Sequence, residues 1–341
     1  MTYARLVDGA ESAITFSLAD RVAGIAARTS GSTGEPREVL LSAAAVRASA
    51  RSTLERLGGP AHWLLAMPTD RIAGAMVLAR AAVADAQVAR MAPGPFTAQA
   101  FCDAVDSMAP GRRYVSLVPT QVRRLVADPR GADALASFDA VLVGGAAPGM
   151  VLPSNAVETY GMTETCGGCV YDGVPLAGVS VRIDDDERIC LGGPMLADGY
   201  ADGDSSAFVT AHGRRWFATS DLGGWDGALT VYGRADDVII TGGHNVHPAA
   251  VERALQDLPG VREAVVVGVP DPEWGERVVA LVVAADPAPS LAHVRDALDL
   301  PRHALPRQVV PVVSLPRTPA GKIDRGAARE QAAAAHGEEN A

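Results

Sequence analysis

A chain of 341 residues has room for a large core and two domains. Its composition, 48% hydrophobic and 21% charged, is that of a globular protein. With 30 Lys+Arg against 40 Asp+Glu the formal net charge is -10, which argues against nucleic acid or an anionic membrane surface as a partner.

Four cysteines in a chain this long do not make a disulfide framework. Met1 to Ala10 holds no apolar stretch suited to a signal peptide, and Ile72 to Ala89 is broken by Arg80 and Asp85. No membrane span and a cytoplasmic location are therefore expected.

In chain order, Ala13–Phe16 is read as a short strand, Ala43–Arg56 as an Ala-rich helix and Trp63–Met67 as a buried strand stopped by Pro68. Ile72–Val83 follows as a helix and Tyr114–Val118 as a strand. A helix over Pro119–Val126, with Pro at its start, and a strand over Val141–Gly145 come next. This alternation predicts an α/β fold: a large N-terminal domain of twisted sheets with packed helices. From Val174 the pattern changes to short antiparallel strands, at Val179–Ile183, Arg188–Leu191 and Leu229–Tyr232. Gly233–Asp237 reads as a linker. Beyond it a small α+β domain is expected: a helix over Pro248–Leu258, strands over Ala264–Val269 and Arg277–Ala284, a helix over Leu291–Asp299 and a strand over Val309–Val313. The Ala/Glu-rich tail from Ala327 reads as a fraying end. The expected domains are residues 1–235 and 236–341.

Thr29-Ser30-Gly31-Ser32-Thr33-Gly34 gathers two glycines and four hydroxyls in six residues, followed by Glu35-Pro36-Arg37. Backbone N–H and O–H donors concentrated this way suit a polyanion such as nucleotide phosphates. The Gly-Lys-Ser/Thr ending of a Walker A loop is missing, and in isolation a plain flexible turn explains the loop slightly better. Cys166-Gly-Gly-Cys169 has redox-motif spacing but lies mid-chain, without a second ligand pair for zinc.

The loop has companions: Tyr160-Gly-Met-Thr-Glu164, Ser220-Asp221-Leu-Gly223, Gly233-Arg234-Ala-Asp236-Asp237, Thr241-Gly-Gly-His-Asn-Val-His-Pro248 and Thr318-Pro-Ala-Gly321-Lys322-Ile-Asp-Arg325. In this order and spacing they resemble the adenylate-forming enzymes, which include acyl-CoA synthetases, peptide-synthetase adenylation domains and luciferases. The resemblance implies an ATP- and Mg²⁺-dependent acid–thiol ligase with CoA as co-substrate. In such an enzyme a carboxylate attacks the α-phosphorus and expels pyrophosphate, and a thiol then takes the acyl group from AMP. It assigns Thr29, Ser30, Gly31, Ser32, Thr33 and Gly34 to the β- and γ-phosphates and Thr163 to the α-phosphate. Glu164 would hold Mg²⁺. Gly145 and Ala146 would form the wall beside adenine, with Tyr160 stacking and Gly161 next to it. Asp221 would accept from the ribose hydroxyls, and Arg234 would reach the ribose or phosphate. Lys322 would bridge the acid and the α-phosphate. Asp236 would be the hinge of a mobile small domain, and Gly242 and Gly243 would line the CoA tunnel.

Three further strings, Ser116–Gln121 with Arg124-Leu125, Gly144–Pro148 and Tyr160–Asp172, are similar to the o-succinylbenzoate–CoA ligases of menaquinone biosynthesis in their short form. That acid carries a second carboxylate. Arg80, in an otherwise apolar helix, is its candidate partner, the alternative being an arginine that snorkels to the surface. Arg71 stands where relatives carry His and is a second candidate. Gly167 and Gly168 would leave room for the ring. Arg37 replaces the usual Lys, and 28 residues precede the loop where most relatives have a long region. The short upstream region is not read as loss of function, whereas Arg37 and Arg71 motivate a non-catalytic rival. The rival readings are a CoA ligase for another aryl or acyl acid, a non-catalytic nucleotide-binding protein, and a dithiol redox protein using Cys166 and Cys169. A homodimer is compatible with all of them.

Overall fold

The computed structural model describes residues 2–29, 36–146, 150–285, 287–318 and 323–339. They form two compact units, one comprising residues 1–184, 189–219 and 225–229, the other residues 185–188, 220–224 and 230–341.

The first unit is built on a seven-stranded sheet in the order Val174–Pro175, Gly167–Tyr171, Ala156–Met162, Ala140–Gly144, Arg113–Leu117, His62–Leu65, Val88–Arg90. The five strands from Ala156–Met162 to Val88–Arg90 are parallel, and the other two add antiparallel at one edge. Parallel strands are covered on both faces and so read as near-continuous apolar runs. Here Trp63, Leu65, Tyr114 and Leu142 face the helices Ala10–Leu18, Ala43–Arg56 and Ile72–Val83. Leu64, Val115, Leu117, Val141 and Val143 face Ala98–Asp106, Pro119–Val126 and Pro129–Ala136. Alternating side-chain directions in each strand thus feed two separate cores.

A smaller sheet, ordered Tyr3–Arg5, Gly24–Arg28, Glu38–Ser42, Gly199–Tyr200, packs into the first of these cores. Antiparallel hairpins at Ser180–Ile183 with Arg188–Gly192, and at Phe208–Ala211 with Arg214–Trp225, supply the β section expected from sequence.

In the second unit Val261–Asp271 and Gly275–Ala284 form a long antiparallel pair, with Ile239–Thr241, His244–Val246 and Gln308–Pro311 completing the sheet. One face packs on the helices Pro248–Gln256 and Leu291–Ala297. The other carries Val265, Val267, Val279 and Leu281.

Two expectations are corrected. Ala13–Phe16 is not a strand but the middle of the helix Ala10–Leu18. Ala10, Ala13, Ile14 and Ser17 are its buried positions, a helical period that a four-residue window hides. The tail does not fray from Ala327: Arg325–Glu339 is a helix, and Ala328 and Ala332 are fully buried against the second face of the sheet. Small residues one helical turn apart let its backbone approach the strands closely. Among the described residues no helix is long and apolar enough to cross a membrane.

The helix Ile72–Val83 sits close to the strand before it. A Cβ on Gly74 would lie 2.2 Å from the Pro68 carbonyl oxygen. Gly74→Ala should therefore destabilise the fold by about 1–3 kcal/mol, as overpacking does, despite alanine's better helix propensity. A lowered urea midpoint at unchanged slope would register it, and an unchanged midpoint would contradict it.

Candidate active site

The strands Gly24–Arg28 and Glu38–Ser42 pair antiparallel from Gly24↔Ser42 to Arg28↔Glu38. Thr29 and Arg37 extend the ladder by one step. The Thr29 N–H donates to the Arg37 carbonyl at 2.8 Å, and the Arg37 N–H donates to Thr29 Oγ1 at 2.9 Å. Thr29 and Arg37, which flank the hydroxyl-rich stretch, are thus paired with each other. Ser30, Gly31, Ser32, Thr33 and Gly34 lie outside the described residues. Arg71 adds a clamp: its Nη1 donates to the Thr29 carbonyl at 3.0 Å, and its Nε lies 3.6 Å from Asp70.

The Arg37 guanidinium turns back along the sheet. It pairs with Asp202 and Asp204, both at 2.9 Å, and lies 3.6 Å over the centroid of the Tyr200 ring. The Tyr200 hydroxyl donates to Glu164 Oε1 at 2.9 Å. Glu164 follows the strand Ala156–Met162, within the short 3-10 turn Thr163–Thr165. Thr163, Glu164 and Tyr200 are all buried. Burial holds the Glu164 carboxyl above the usual carboxylate range. Its own backbone amide, the Tyr200 hydroxyl and the Arg37 charge work in the opposite direction without cancelling the effect. Burial also raises the Tyr200 phenol, helped by its acidic neighbour, so it stays a donor.

Gly145 and Ala146 lie exposed just past the strand Ala140–Gly144, with Gly145 at φ +84°. Tyr160 and Gly161 are on the neighbouring strand, where Tyr160 is half-buried. Gly161 faces Gly168 across the antiparallel pair, and a Cβ on Gly161 would lie 2.2 Å from the Gly167 carbonyl oxygen. A side chain at Gly168 would crowd Thr159 and Tyr171, whereas one at Gly167 would meet nothing within 4 Å.

Arg80 does not snorkel. It is 4% exposed, in the last turn of the Ile72–Val83 helix, and lies 5.4 Å from the centre of the Trp63 ring. Its Nε has no hydrogen-bond partner. Cys166 and Cys169 are buried free thiols. Burial pushes the Cys169 thiol up to about 12 and raises Cys166 as well, so neither is a ready thiolate.

The remaining candidates belong to the second unit. Asp221 and Arg234 are half-buried on strands, and Asp236 is exposed in the turn Ala235–Asp237. Gly242 and Gly243 both adopt positive φ, +56° and +78°. At Gly242 a Cβ would also strike the Trp274 ring at 2.9 Å, so this turn requires glycine twice over. Lys322 lies outside the described residues. Three positions on, Arg325 pairs with Asp237 at 3.2 Å and with Glu252 at 2.8 Å.

The first unit therefore brings Thr29, Arg71, Thr163 and Glu164 into one connected neighbourhood, through Arg37 and Tyr200. Tyr200, Asp202 and Asp204 escape the sequence reading. The signal for them was available only as an aromatic followed by two acids with no spacing rule. Among the described residues no group of three or more His, Cys, Asp or Glu could hold a metal. A lone buried carboxylate does fit Mg²⁺, which takes one or two carboxylates and fills its remaining positions with phosphate and water.

A mainly parallel sheet with a hydroxyl-rich hairpin loop, a buried carboxylate at a strand end and a second unit bearing a double-glycine turn defines an adenylate-forming enzyme. The chain belongs to the AMP-binding enzyme family. That family's model matches residues 28–201, and the model of the AMP-binding enzyme C-terminal domain matches residues 250–322. A probable 2-succinylbenzoate–CoA ligase of Mycobacterium tuberculosis is 45% identical over 317 residues, 88% of this chain and 82% of that protein. Among solved structures, ATP-bound MatB from Rhodopseudomonas palustris aligns with a TM-score of 0.77 at 27% identity, over 91% of this chain and 68% of that one. The o-succinylbenzoate CoA synthetase MenE of Bacillus subtilis, in complex with the acyl-adenylate OSB-AMP, aligns with a TM-score of 0.73 at 26% identity, over 89% and 68%.

A carboxyl raised by burial costs stability once the pH rises through its folded pKa. Below the unfolded value, about 4.3, it costs nothing, because both states are protonated. Glu164→Gln should therefore raise the thermal midpoint of the ligand-free protein at pH 8, and the gain should shrink to nothing toward pH 4. A midpoint lowered at pH 8 would contradict this assignment of the buried charge.

Proposed function

We propose that the chain is an ATP-dependent ligase that joins o-succinylbenzoate to CoA through an acyl-adenylate. The observation that carries the choice of acid is Arg80, buried and unpartnered at Nε in the unit that matches the AMP-binding model. Kinship with the M. tuberculosis protein supports the same choice.

A free carboxylate is a poor acyl donor because it would have to expel oxide. As a mixed anhydride with AMP it has a good leaving group. In the first half-reaction a carboxylate oxygen bonds to the α-phosphorus, and the bond to pyrophosphate breaks. In the second, the CoA sulfur bonds to the acyl carbon and AMP leaves. Catalysis of such steps is positioning and charge neutralisation. In this reading the Thr29–Gly34 donors hold the β- and γ-phosphates, Thr163 the α-phosphate, and Asp221 and Arg234 the ribose side. Gly145, Ala146 and Tyr160 bound the adenine. Glu164 would ligate Mg²⁺, which supplies charge neutralisation on the phosphates. Arg80 receives the second carboxylate of the acid, with Gly167 beside the ring, and Arg71 steadies the loop neck. Lys322 serves adenylation. A turn about Asp236 then replaces it with the Gly242–Gly243 turn, whose bare backbone admits the pantetheine arm.

Incubating the protein with ATP, CoA, Mg²⁺ and a panel of acids tests the reading. We expect pyrophosphate release and thioester formation with o-succinylbenzoate. Arg80→Leu should raise the KM for that acid by at least tenfold while leaving the KM for ATP unchanged. Thioester formation from a monocarboxylic acid but not from o-succinylbenzoate would favour a ligase for another acid. Absence of pyrophosphate release with any acid would leave a nucleotide-binding protein.

The roles of the two half-reactions separate in Lys322→Ala. It should lose adenylation by several orders of magnitude yet still convert pre-made acyl-adenylate and CoA to thioester. Equal loss of both would count against the exchange of groups about Asp236.

A further inference from the structure

The segment Ala197–Asp204 touches both Glu164 and the strand that follows the hydroxyl-rich stretch. The Ala197 N–H donates to the Glu164 carbonyl at 2.8 Å. Asp198 and Ala201 donate to the carbonyls of Leu40 and Glu38 at 2.8 and 2.9 Å, which locks the segment to the strand leaving the hydroxyl-rich loop. Tyr200 pairs with Val39 in that register. Asp202 and Asp204 hold the Arg37 guanidinium against the Tyr200 ring. The Tyr200 hydroxyl reaches Glu164 Oε1. A single stretch of chain therefore sets both the loop exit and the carboxylate against one ruler.

We propose that Tyr200 is a positioning residue of this site, holding the Glu164 carboxylate at a fixed place relative to the exit of the Thr29–Arg37 loop. The inference rests on the reading of Glu164 as the Mg²⁺ ligand. The ring of Tyr200 has an ordinary packing role, next to Phe208 at 5.8 Å between centroids. Its hydroxyl is not needed for that. It makes a hydrogen bond to a carboxylate that otherwise has its own amide and the more distant Arg37 charge. A carboxylate offers about four acceptor sites, so one phenol fixes its orientation and leaves others for a cation. Without the phenol the carboxylate keeps its chemistry and loses its direction. The effect should appear in cation binding and turnover and not in recognition of the acid.

Tyr200→Phe removes the hydroxyl and keeps the stacked ring. We expect unfolding that stays cooperative, unchanged ATP binding in EDTA by calorimetry and an unchanged KM for the acid. The Mg²⁺ concentration that half-saturates ATP binding in the calorimeter should rise about tenfold, the loss typical of one hydrogen bond to a charged group, and kcat should fall with it. Glu164→Gln should show the same loss, and adding Tyr200→Phe to it should cost nothing more, because Tyr200 acts through Glu164. Wild-type Mg²⁺ dependence in Tyr200→Phe, beside a shifted Glu164→Gln, would overturn the proposal and leave the Glu164 reading intact. An unshifted Glu164→Gln would overturn that reading and this proposal with it. A double variant whose loss is the product of the single losses would give Tyr200 a role of its own. A Tyr200→Phe protein that no longer unfolds cooperatively would make the hydroxyl a folding element, and both outcomes overturn the proposal.

Discussion

Backbone pairing between Gly24–Arg28 and Glu38–Ser42 is the constraint on which the site depends. A loop rich in glycine and hydroxyl residues has little conformational preference of its own, and ordering each of its residues costs about 1–2 kcal/mol. Fixing its two ends at ladder distance confines that cost to the loop itself. The bonds between Thr29 and Arg37, and the Arg71 clamp on the Thr29 carbonyl, hold the two ends that flank the stretch. The same small sheet holds Gly199–Tyr200 beside Glu38–Ser42, so the carboxylate's neighbour is built into the loop's own frame.

The charges around this frame differ in what they do. The Arg37 guanidinium is one-third exposed, at 34%, and its acids Asp202 and Asp204 are more exposed still, at 55% and 43%. Pairs in such surroundings contribute about 0–1 kcal/mol each to stability. Their value is geometric: two acids and a ring face leave the planar fork one place to sit, which explains why the loop can end in Arg here as well as in Lys. Glu164 is the reverse case. It is buried, its acidity is suppressed, and the folded protein is less stable for having it ionised. Residues that cost stability are retained where they serve the chemistry.

Much of this was legible in the chain. The Ile72–Val83 and Pro119–Val126 helices were bounded by Pro and by changes of polarity, and they fold with those bounds. The core strands Tyr114–Val118 and Val141–Gly145 were visible as apolar runs and shift by one residue, while Trp63–Met67 ends two residues earlier, at Leu65. Two segments misled for separate reasons. Ala13–Phe16 looks extended over four residues and helical over nine. The Arg325–Glu339 helix looks like a solvated tail because its buried face is made of alanines, which carry little hydrophobic signal yet fit closely against a sheet. Tyr200 was illegible for a different reason. Its importance comes from a partner 36 positions away and from a stacked cation 163 positions away, with no local pattern to announce either.

In the proposed reading Arg80 joins fold and chemistry. A guanidinium in the last turn of a helix gains from the helix dipole, by about 0.3–1 kcal/mol and at most about 2. Contact with the Trp63 ring adds an amount of similar size. Among the described residues Arg80 has no ion pair, and burying a charge without a counter-ion costs several kcal/mol, so these gains leave a deficit. The residue sits where a leucine would pack without that deficit, amid alanine, valine and methionine on every side of the helix. A negative group brought by a substrate would offset the remainder, and would be held more tightly than in water because Arg80 is buried. This is the physical reason for choosing an acid with two carboxylates. A monocarboxylic acid would spend its only charge at the α-phosphorus and leave Arg80 as it is in the free protein.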